Sequence, residues 1–161
     1  MNIHKNWKTI RKHVNESFKT SLHVSIATVD AENNPTITPI GSLFLNRDQT
    51  GFYFEKFTSK LSSNTENNNK ICVLAVNSNK WFWIKSLWKG KFKKHPALQL
   101  YGVLGEKRNA TEIEISRLKK RMKMTKGFKG NTYLWSDMKT VREVTFHKVT
   151  KMKLGTMTAD L

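Results

Sequence analysis

The chain has 161 residues, of which 38% are hydrophobic and 25% are charged, and this composition predicts one globular domain over residues 1–161. The 29 lysines and arginines outnumber the 12 aspartates and glutamates, and the net charge of +17 favours anionic partners. No apolar run approaches the roughly 18 residues of a membrane helix, and the first residues lack the apolar core of a signal peptide. We therefore expect a cytoplasmic protein with no membrane partner, and the single cysteine, Cys72, fits a reducing compartment.

The first predicted element is an amphipathic N-terminal helix over residues 1–20. Its apolar residues recur at gaps of three and four, which is the spacing of one helical face. These residues are Ile3, Trp7, Ile10, Val14 and Phe18. We expect this face to pack against the side of the domain.

Six strand-like segments follow, and turns rich in Asn, Asp, Gly and Pro separate the early ones. They occupy residues 22–29, 36–45, 52–57, 71–76, 97–104 and 141–149. A second helix begins late in the chain, where Thr111 and Glu114 have the spacing of a capping box. Because strands and helices do not alternate, we expect a mainly β, α+β fold. Its centre would be a six-stranded antiparallel split β-barrel, closed or nearly closed, with flanking helices.

The familiar catalytic and metal-binding motifs are missing from the sequence. The five histidines include no i, i+4 pair and adjoin no cysteine or carboxylate cluster, so no metal site is predicted. The chain also lacks a G-x-S-x-G elbow, a P-loop and a G-x-G-x-x-G loop. The sequence therefore gives no support to classical hydrolase or dinucleotide-fold chemistry, and it identifies no catalytic residue.

A cluster of two hydroxyl groups and one ammonium group follows the third strand, at Thr58, Ser59 and Lys60. Backbone amides at a strand-to-helix junction, together with such side chains, can hold a phosphate dianion. By itself the tripeptide is a weak signal, because the same residues are common on protein surfaces.

The order of the motifs around this cluster is more specific. The chain reads P-x-I-x-P-I-G, then G-F-Y-F, then T-S-K, then E-N-N-x-K-I-x-V-L. Over about residues 22–77 this order resembles the flavin-binding split β-barrel family that is named for pyridoxamine 5′-phosphate oxidase. The resemblance continues more loosely to the end of the chain.

The resemblance implies FMN as the cofactor and a homodimer with the flavin at its interface. Ser59 and Lys60 would clamp the FMN phosphate, with Thr58 assisting. Backbone groups at the end of the second strand would line the isoalloxazine ring. These residues are Pro39, Ile40, Gly41 and Ser42.

The chain also departs from the family pattern. Leu61 stands where the oxidases have the second cation of their phosphate clamp. Ile40 and Leu45 stand where the oxidases have paired basic residues, and Asn69 replaces the usual proline. These departures argue against the namesake oxidase activity and predict weaker binding of the phosphate.

An unusual segment over residues 77–96 interleaves Trp81, Trp83 and Trp88 with lysines such as Lys85, Lys89 and Lys91. In the resembling family, elements at this position cover the flavin, so the tryptophans would stack on flavin or substrate and the lysines would attract anionic groups. Two other interpretations stay open: the tryptophans pack a dimer interface, or they stack nucleic-acid bases.

Two residues near the last strand, Trp135 and Arg142, would reach the flavin of the second subunit. The sequence as a whole thus predicts an FMN-binding oxidoreductase. The flavin would transfer a hydride or electrons to a small, anionic substrate. One alternative is a non-catalytic FMN-binding or stress-related protein. The other, which we disfavour, is a basic nucleic-acid-binding β-barrel.

Overall fold

The computed structural model describes residues 1–161, with the side chain of Met124 left aside. Five α-helices and seven strands follow one another along the chain. The helices are α1 (Ile3–Ser21), α2 (Ser59–Asn67), α3 (Lys80–Trp88), α4 (Glu112–Arg121) and α5 (Lys129–Trp135). The strands are β1 (Val24–Val29), β2 (Pro35–Ile40), β3 (Phe44–Leu45), β4 (Thr50–Phe54), β5 (Lys70–Val76), β6 (Ala97–Asn109) and β7 (Thr140–Lys151).

The seven strands form one sheet in the order β2-β1-β5-β6-β7-β4-β3, and all neighbouring strands are antiparallel. The α+β class and the antiparallel sheet predicted from the sequence are thus confirmed. The predicted count of six strands is wrong. The predicted segment 36–45 divides at residues 41–43 into β2 and β3, which pair with different partners.

This division also explains the shape of the sheet. β2 and β3 stand at opposite ends of the strand order, although only residues 41–43 separate them in the chain. Four steps of about 3.8 Å between consecutive Cα atoms cannot span more than about 15 Å. The sheet must therefore curl until its two ends lie side by side.

The two ends do not join through a backbone ladder, since no pairing of β2 with β3 occurs among the described residues. The expectation of a closed barrel is therefore corrected to a curled, open sheet. A side chain bridges the gap. The Ser42 hydroxyl accepts a hydrogen bond from the Phe54 amide at 3.1 Å and donates to the Phe54 carbonyl at 3.2 Å.

Helix α1 packs its apolar stripe into the main core. Asn2 begins the helix, because its side-chain oxygen accepts a hydrogen bond from the Lys5 amide at 3.0 Å. The stripe predicted from the sequence is buried along its whole length, in the main core with residues of the sheet. The Trp7 indole N–H also donates to the Asn46 carbonyl at 2.8 Å, so the helix is bonded to the turn before β4.

Helix α2 is held against the hairpin of β1 and β2 by one buried amide. The Asn64 side-chain N–H₂ group donates to the hydroxyls of Thr28 and Thr36, each at 2.9 Å. Leu61 lies on the same helix and is fully buried in the main core. These contacts fix the beginning of α2 relative to the sheet.

A second apolar cluster lies between the sheet and helix α4. It contains Phe44, Phe52, Phe54, Leu118, Met138 and Val141. The Trp135 ring packs against its edge. No helix among the described residues is both long enough and apolar enough to span a membrane.

Candidate functional site

The beginning of helix α2 has an incomplete set of hydrogen bonds. Thr58 occupies the N-cap position, but its side chain makes no capping bond, and the first turn contains no acidic residue. The Thr58 Oγ1 atom is buried and has no hydrogen-bond partner among the described residues. Free amide groups and the helix dipole make such a terminus attractive to an anion.

The two neighbouring side chains of the predicted phosphate clamp are accessible. Ser59 and Lys60 both lie exposed on the first turn of α2. Their hydroxyl and ammonium groups can reach a ligand that sits over the helix terminus. The arrangement can hold a phosphate group through charge-assisted hydrogen bonds.

Leu61 is fully buried, which gives a physical reason for the missing cation at this position. A lysine or arginine there would place an unpaired charge in the main core. A different residue brings a cation to the same helix turn. The Arg142 guanidinium, on β7, donates to the Ser62 hydroxyl at 3.3 Å.

Arg142 is held in place by a nearly buried carboxylate. Its Nε and Nη2 atoms donate to Glu55 at 3.0 and 3.3 Å, and both side chains are largely shielded from water. The structure therefore places Arg142 beside α2 of its own chain. The sequence drew no attention to Glu55, although a carboxylate directly after the apolar run of β4 is an available signal.

The turn between β2 and β3 contains the other half of the predicted site. Ile40 and Ser42 are buried, whereas Pro39 is exposed on the outward face of β2. The Ser42 hydroxyl is already bonded to the Phe54 backbone, so its side chain has a structural role. At Gly41, an added Cβ would lie 2.9 Å from Cη2 of Trp135. The absent side chain thus admits the Trp135 indole of the same chain.

A half-buried arginine that sequence reasoning missed, Arg121, binds the backbone of this turn. Arg121 donates to the Leu43 carbonyl at 2.6 Å and to the Gly41 carbonyl at 3.3 Å. Its guanidinium lies 3.6 Å from the ring centre of Phe44. Burial, reinforced by the like charge of Arg117, lowers the pKa of Arg121 to about 9.

The two halves of the predicted site lie at the same end of β4. The Ser42–Phe54 hydrogen bonds connect the β2–β3 turn to the end of this strand, four residues before Thr58. Lys56 then donates to the Ser136 carbonyl at 2.9 Å, which attaches the end of α5, including Trp135, to the same region. The structure thus brings together the turn, the beginning of α2, Trp135 and Arg142.

The remaining tryptophans lie elsewhere. Trp83 turns inward, where its indole N–H donates to the Asn77 carbonyl at 2.6 Å and its ring meets Phe92 edge-on. Trp81 and Trp88 are almost fully exposed to solvent. Within one copy of the chain, these two side chains cover no part of the candidate site.

A cleft of about 780 Å³ opens between helices α4 and α5. Trp135, Leu118 and Met122 give it apolar walls, and four lysines surround it. These lysines are Lys119, Lys120, Lys123 and Lys126. Because Trp135 also contacts the β2–β3 turn, the cleft adjoins the candidate site.

No protein-family model matches the sequence, and no curated protein matches it either. Solved structures do match the fold. An FMN-binding protein from Syntrophomonas wolfei is 17% identical, with a TM-score of 0.59, and the match covers 94% of this chain and 95% of that chain. A candidate pyridoxamine 5′-phosphate oxidase from Lactobacillus delbrueckii is 19% identical, with a TM-score of 0.52 over 86% and 90% of the two chains.

A third solved structure is HutZ, the heme storage protein from Vibrio cholerae. It is 13% identical, with a TM-score of 0.57, and the match covers 89% of this chain and 92% of that chain. Identities this low establish the fold alone. The resemblance to the flavin-binding split-barrel family that the sequence predicted is confirmed at this level.

Proposed function

We propose that the chain binds FMN, with the phosphate at the beginning of helix α2. The observation that carries this proposal is the buried Thr58 hydroxyl, which lacks a partner at an uncapped helix terminus. A phosphate oxygen satisfies that hydroxyl and the neighbouring amide groups at once. The residues at the beginning of α2 therefore fit the phosphate of FMN, and one protein of the same fold is described as FMN-binding.

Each residue around the terminus has a distinct part in binding. The Ser59 hydroxyl donates a hydrogen bond to a phosphate oxygen, and Lys60 supplies a positive charge that offsets the charge of the phosphate. Arg142 supplies a second, fixed cation in place of the residue that Leu61 excludes. Glu55 positions Arg142 and offsets part of its charge, so Lys60 provides most of the net attraction.

The flavin ring would lie toward the β2–β3 turn. Backbone groups of residues 39–42 line this side, and Trp135 offers an aromatic wall. Several apolar side chains nearby remain exposed in one copy of the chain, namely Ile37, Phe57 and Tyr133. This exposed rim supports a homodimer in which a second copy completes the flavin site.

Bound FMN supplies hydride or electron transfer. The protein's own groups would bind the flavin, shield it from water and orient the substrate beside it. The lysines around the cleft between α4 and α5 support a small anionic substrate, because they place positive charge next to Trp135. Rapid bleaching of the bound flavin by a reduced nicotinamide would support an oxidoreductase, and no bleaching by any reductant of this class would favour a passive FMN binder.

The phosphate assignment is tested by comparing FMN with riboflavin, which lacks the phosphate. The purified protein should show flavin absorbance and bind FMN at least tenfold more tightly than riboflavin. Lys60→Ala should weaken FMN binding about tenfold and leave riboflavin binding unchanged. Thr58→Val should act in the same direction, and Lys153→Ala, an exposed lysine near the other end of the chain, serves as the matched control.

Equal effects of Lys60→Ala on FMN and riboflavin would show that Lys60 does not contact the phosphate. A heme absorbance band in place of the flavin bands would overturn the proposed cofactor. That outcome would place the chain functionally closer to the heme storage protein of the same fold.

A further inference from the structure

Helix α3 presents an apolar surface to solvent, which we call the α3 surface. Its side chains are Trp81, Ile84, Leu87 and Trp88, with exposed fractions of 79%, 55%, 63% and 83%. Exposed apolar patches of this kind on a folded protein mark interaction sites. The candidate flavin site does not use these four side chains.

The exposure of these residues is enforced by how the helix is anchored. Asn79 caps the helix by accepting a hydrogen bond from the Phe82 amide at 2.9 Å. Phe82 and Trp83 pack on the buried Phe92, whose amide donates to the Met157 carbonyl at 2.9 Å. Because the inward face of this short helix is already occupied, the α3 surface cannot fold back into the core.

The charge around the α3 surface has one sign. Residues 77–96 contain six lysines and neither aspartate nor glutamate. The lysines are Lys80, Lys85, Lys89, Lys91, Lys93 and Lys94. Lys94 pairs with Glu16 of α1, and the other five form no salt bridge within the described part of the chain. An occupant of this surface must therefore be both anionic and able to accept apolar side chains.

Positive charge combined with exposed apolar side chains favours one kind of partner over the others. A second copy docking its own α3 surface would bring two sets of like charges together, which is unfavourable. A nucleic acid would accept the lysines and stack on the indoles, but its bases gain nothing from the exposed aliphatic side chains of Ile84 and Leu87. An anionic lipid surface accommodates the indoles, the aliphatic side chains and the lysines together. The indoles and aliphatic groups enter the boundary between headgroups and acyl chains, while the lysines bind lipid phosphates.

We propose that the α3 surface docks the protein peripherally onto anionic membranes. Trp81 and Trp88, one at each end of the helix, would anchor it at the depth where tryptophan is enriched. Lys85 and Lys89 would contact the anionic headgroups. This proposal departs from the expectation of no membrane partner that composition suggested, and it is independent of whether the chain binds flavin.

The proposal is tested by sedimenting the full chain with lipid vesicles. The protein should bind vesicles of 70% phosphatidylcholine and 30% phosphatidylglycerol at least tenfold more tightly than pure phosphatidylcholine vesicles. Binding should shift the tryptophan emission to shorter wavelength and weaken in 0.5 M salt. The double variants Trp81→Ser/Trp88→Ser and Lys85→Glu/Lys89→Glu should each weaken vesicle binding at least tenfold.

Matched controls are available on other exposed surfaces. Ile113→Ser removes an exposed apolar side chain on α4, and Lys107→Glu/Lys153→Glu makes the same change of charge away from α3. Neither control should change vesicle binding more than twofold. All variants should keep the melting temperature and the FMN affinity of the parent protein, which separates this test from that of the proposed function.

Three results would overturn the proposal. The first is an absence of binding to anionic vesicles, or binding that the α3 variants do not change. The second is an α3-dependent affinity for RNA or DNA that exceeds the affinity for vesicles. The third is a dimer in solution that Trp81→Ser/Trp88→Ser dissociates, since the α3 surface would then be covered by a second copy.

Discussion

The beginning of α2 and the α3 surface are both basic and both accessible, yet they have opposite architectures. At α2, the buried Thr58 hydroxyl lies without a partner at an uncapped helix terminus, and the cation Arg142 is held by Glu55. At α3, exposed lysines surround four exposed apolar side chains, and no polar group there is left buried without a partner among the described residues of the helix. A compact anion fits the first arrangement, and an extended anionic surface fits the second.

This difference shows why net charge was a poor guide to function. The charge of +17 favours every class of anionic partner equally. The two proposals differ in what accompanies the charge: an unsatisfied hydroxyl and free amide groups at α2 favour a phosphate, and exposed apolar side chains at α3 favour a lipid surface. Substitutions in the two regions test this contrast, and the largest effect is expected in the core beneath α2.

The largest effect is expected from Leu61→Lys, which restores a cation at the position where the resembling oxidases have one. Because Leu61 is fully buried, the lysine must bury a charge, and the free energy of unfolding should fall by about 4 kcal/mol. Denaturant unfolding measures this loss. Ser63→Lys, at an exposed position of the same helix, should change stability by less than about 0.5 kcal/mol. A stable Leu61→Lys protein with tighter FMN binding would show that α2 can shift and bring residue 61 out of the core.

A somewhat smaller effect is expected from Glu55→Ala. The substitution leaves Arg142 shielded from water without its carboxylate partner, which should cost about 3 kcal/mol of unfolding free energy. Glu143→Ala removes a carboxylate from a more exposed ion pair with Arg108 and should cost less than about 1 kcal/mol. Similar losses for the two variants would argue that Arg142 is not fixed, and the contrast with the exposed, unpaired lysines of α3 would disappear.

Gly41→Ala should have a moderate effect on the turn between β2 and β3. The added Cβ would lie 2.9 Å from the end of the Trp135 ring, so the indole must move. We expect a loss of about 1 kcal/mol, together with a change in tryptophan emission. In a Trp135→Ala background, Gly41→Ala should lose most of its effect on the free energy of unfolding, because the ring that the new Cβ meets is gone. Strictly additive losses in this double-mutant cycle would contradict the contact.

The smallest effect is expected from pH, and it concerns the side of the molecule that carries α3. Burial lowers the pKa of His13, which bonds the Ala75 carbonyl from α1, and it likewise lowers the pKa of His95 near the end of the 77–96 segment. Below the ordinary value of 6.5 the unfolded chain takes up protons that the folded chain resists, so stability should fall as pH drops below 6.5.

Well above pH 6.5 both states carry neutral imidazoles, and these two residues should no longer make stability depend on pH. The variant His13→Gln keeps a hydrogen-bond donor for Ala75 and should flatten the profile between pH 6.5 and 5, while His147→Gln, at an exposed position, should leave it unchanged. A profile for His13→Gln that matches the parent would remove His13 as the cause.

Much of the fold could be predicted from local patterns. The apolar stripe of α1 and the capping box at Thr111 and Glu114 depend on residues close together in the chain, and the structure has both. The division of segment 36–45 could not be predicted in this way. Ile40 and Phe44 both look like strand residues, and only the pairing of β2 with β1 and of β3 with β4 separates them.

The candidate site divides along the same line. Consecutive residues are enough to predict that hydroxyl and ammonium groups follow the third predicted strand, in the order typical of a phosphate clamp. The contact of Arg142 with the Ser62 hydroxyl of α2, and the packing of Trp135 at Gly41, are visible only in the folded chain. Both contacts join residues more than 75 positions apart, and burial of the Thr58 hydroxyl without a partner exists only once the chain has folded around it.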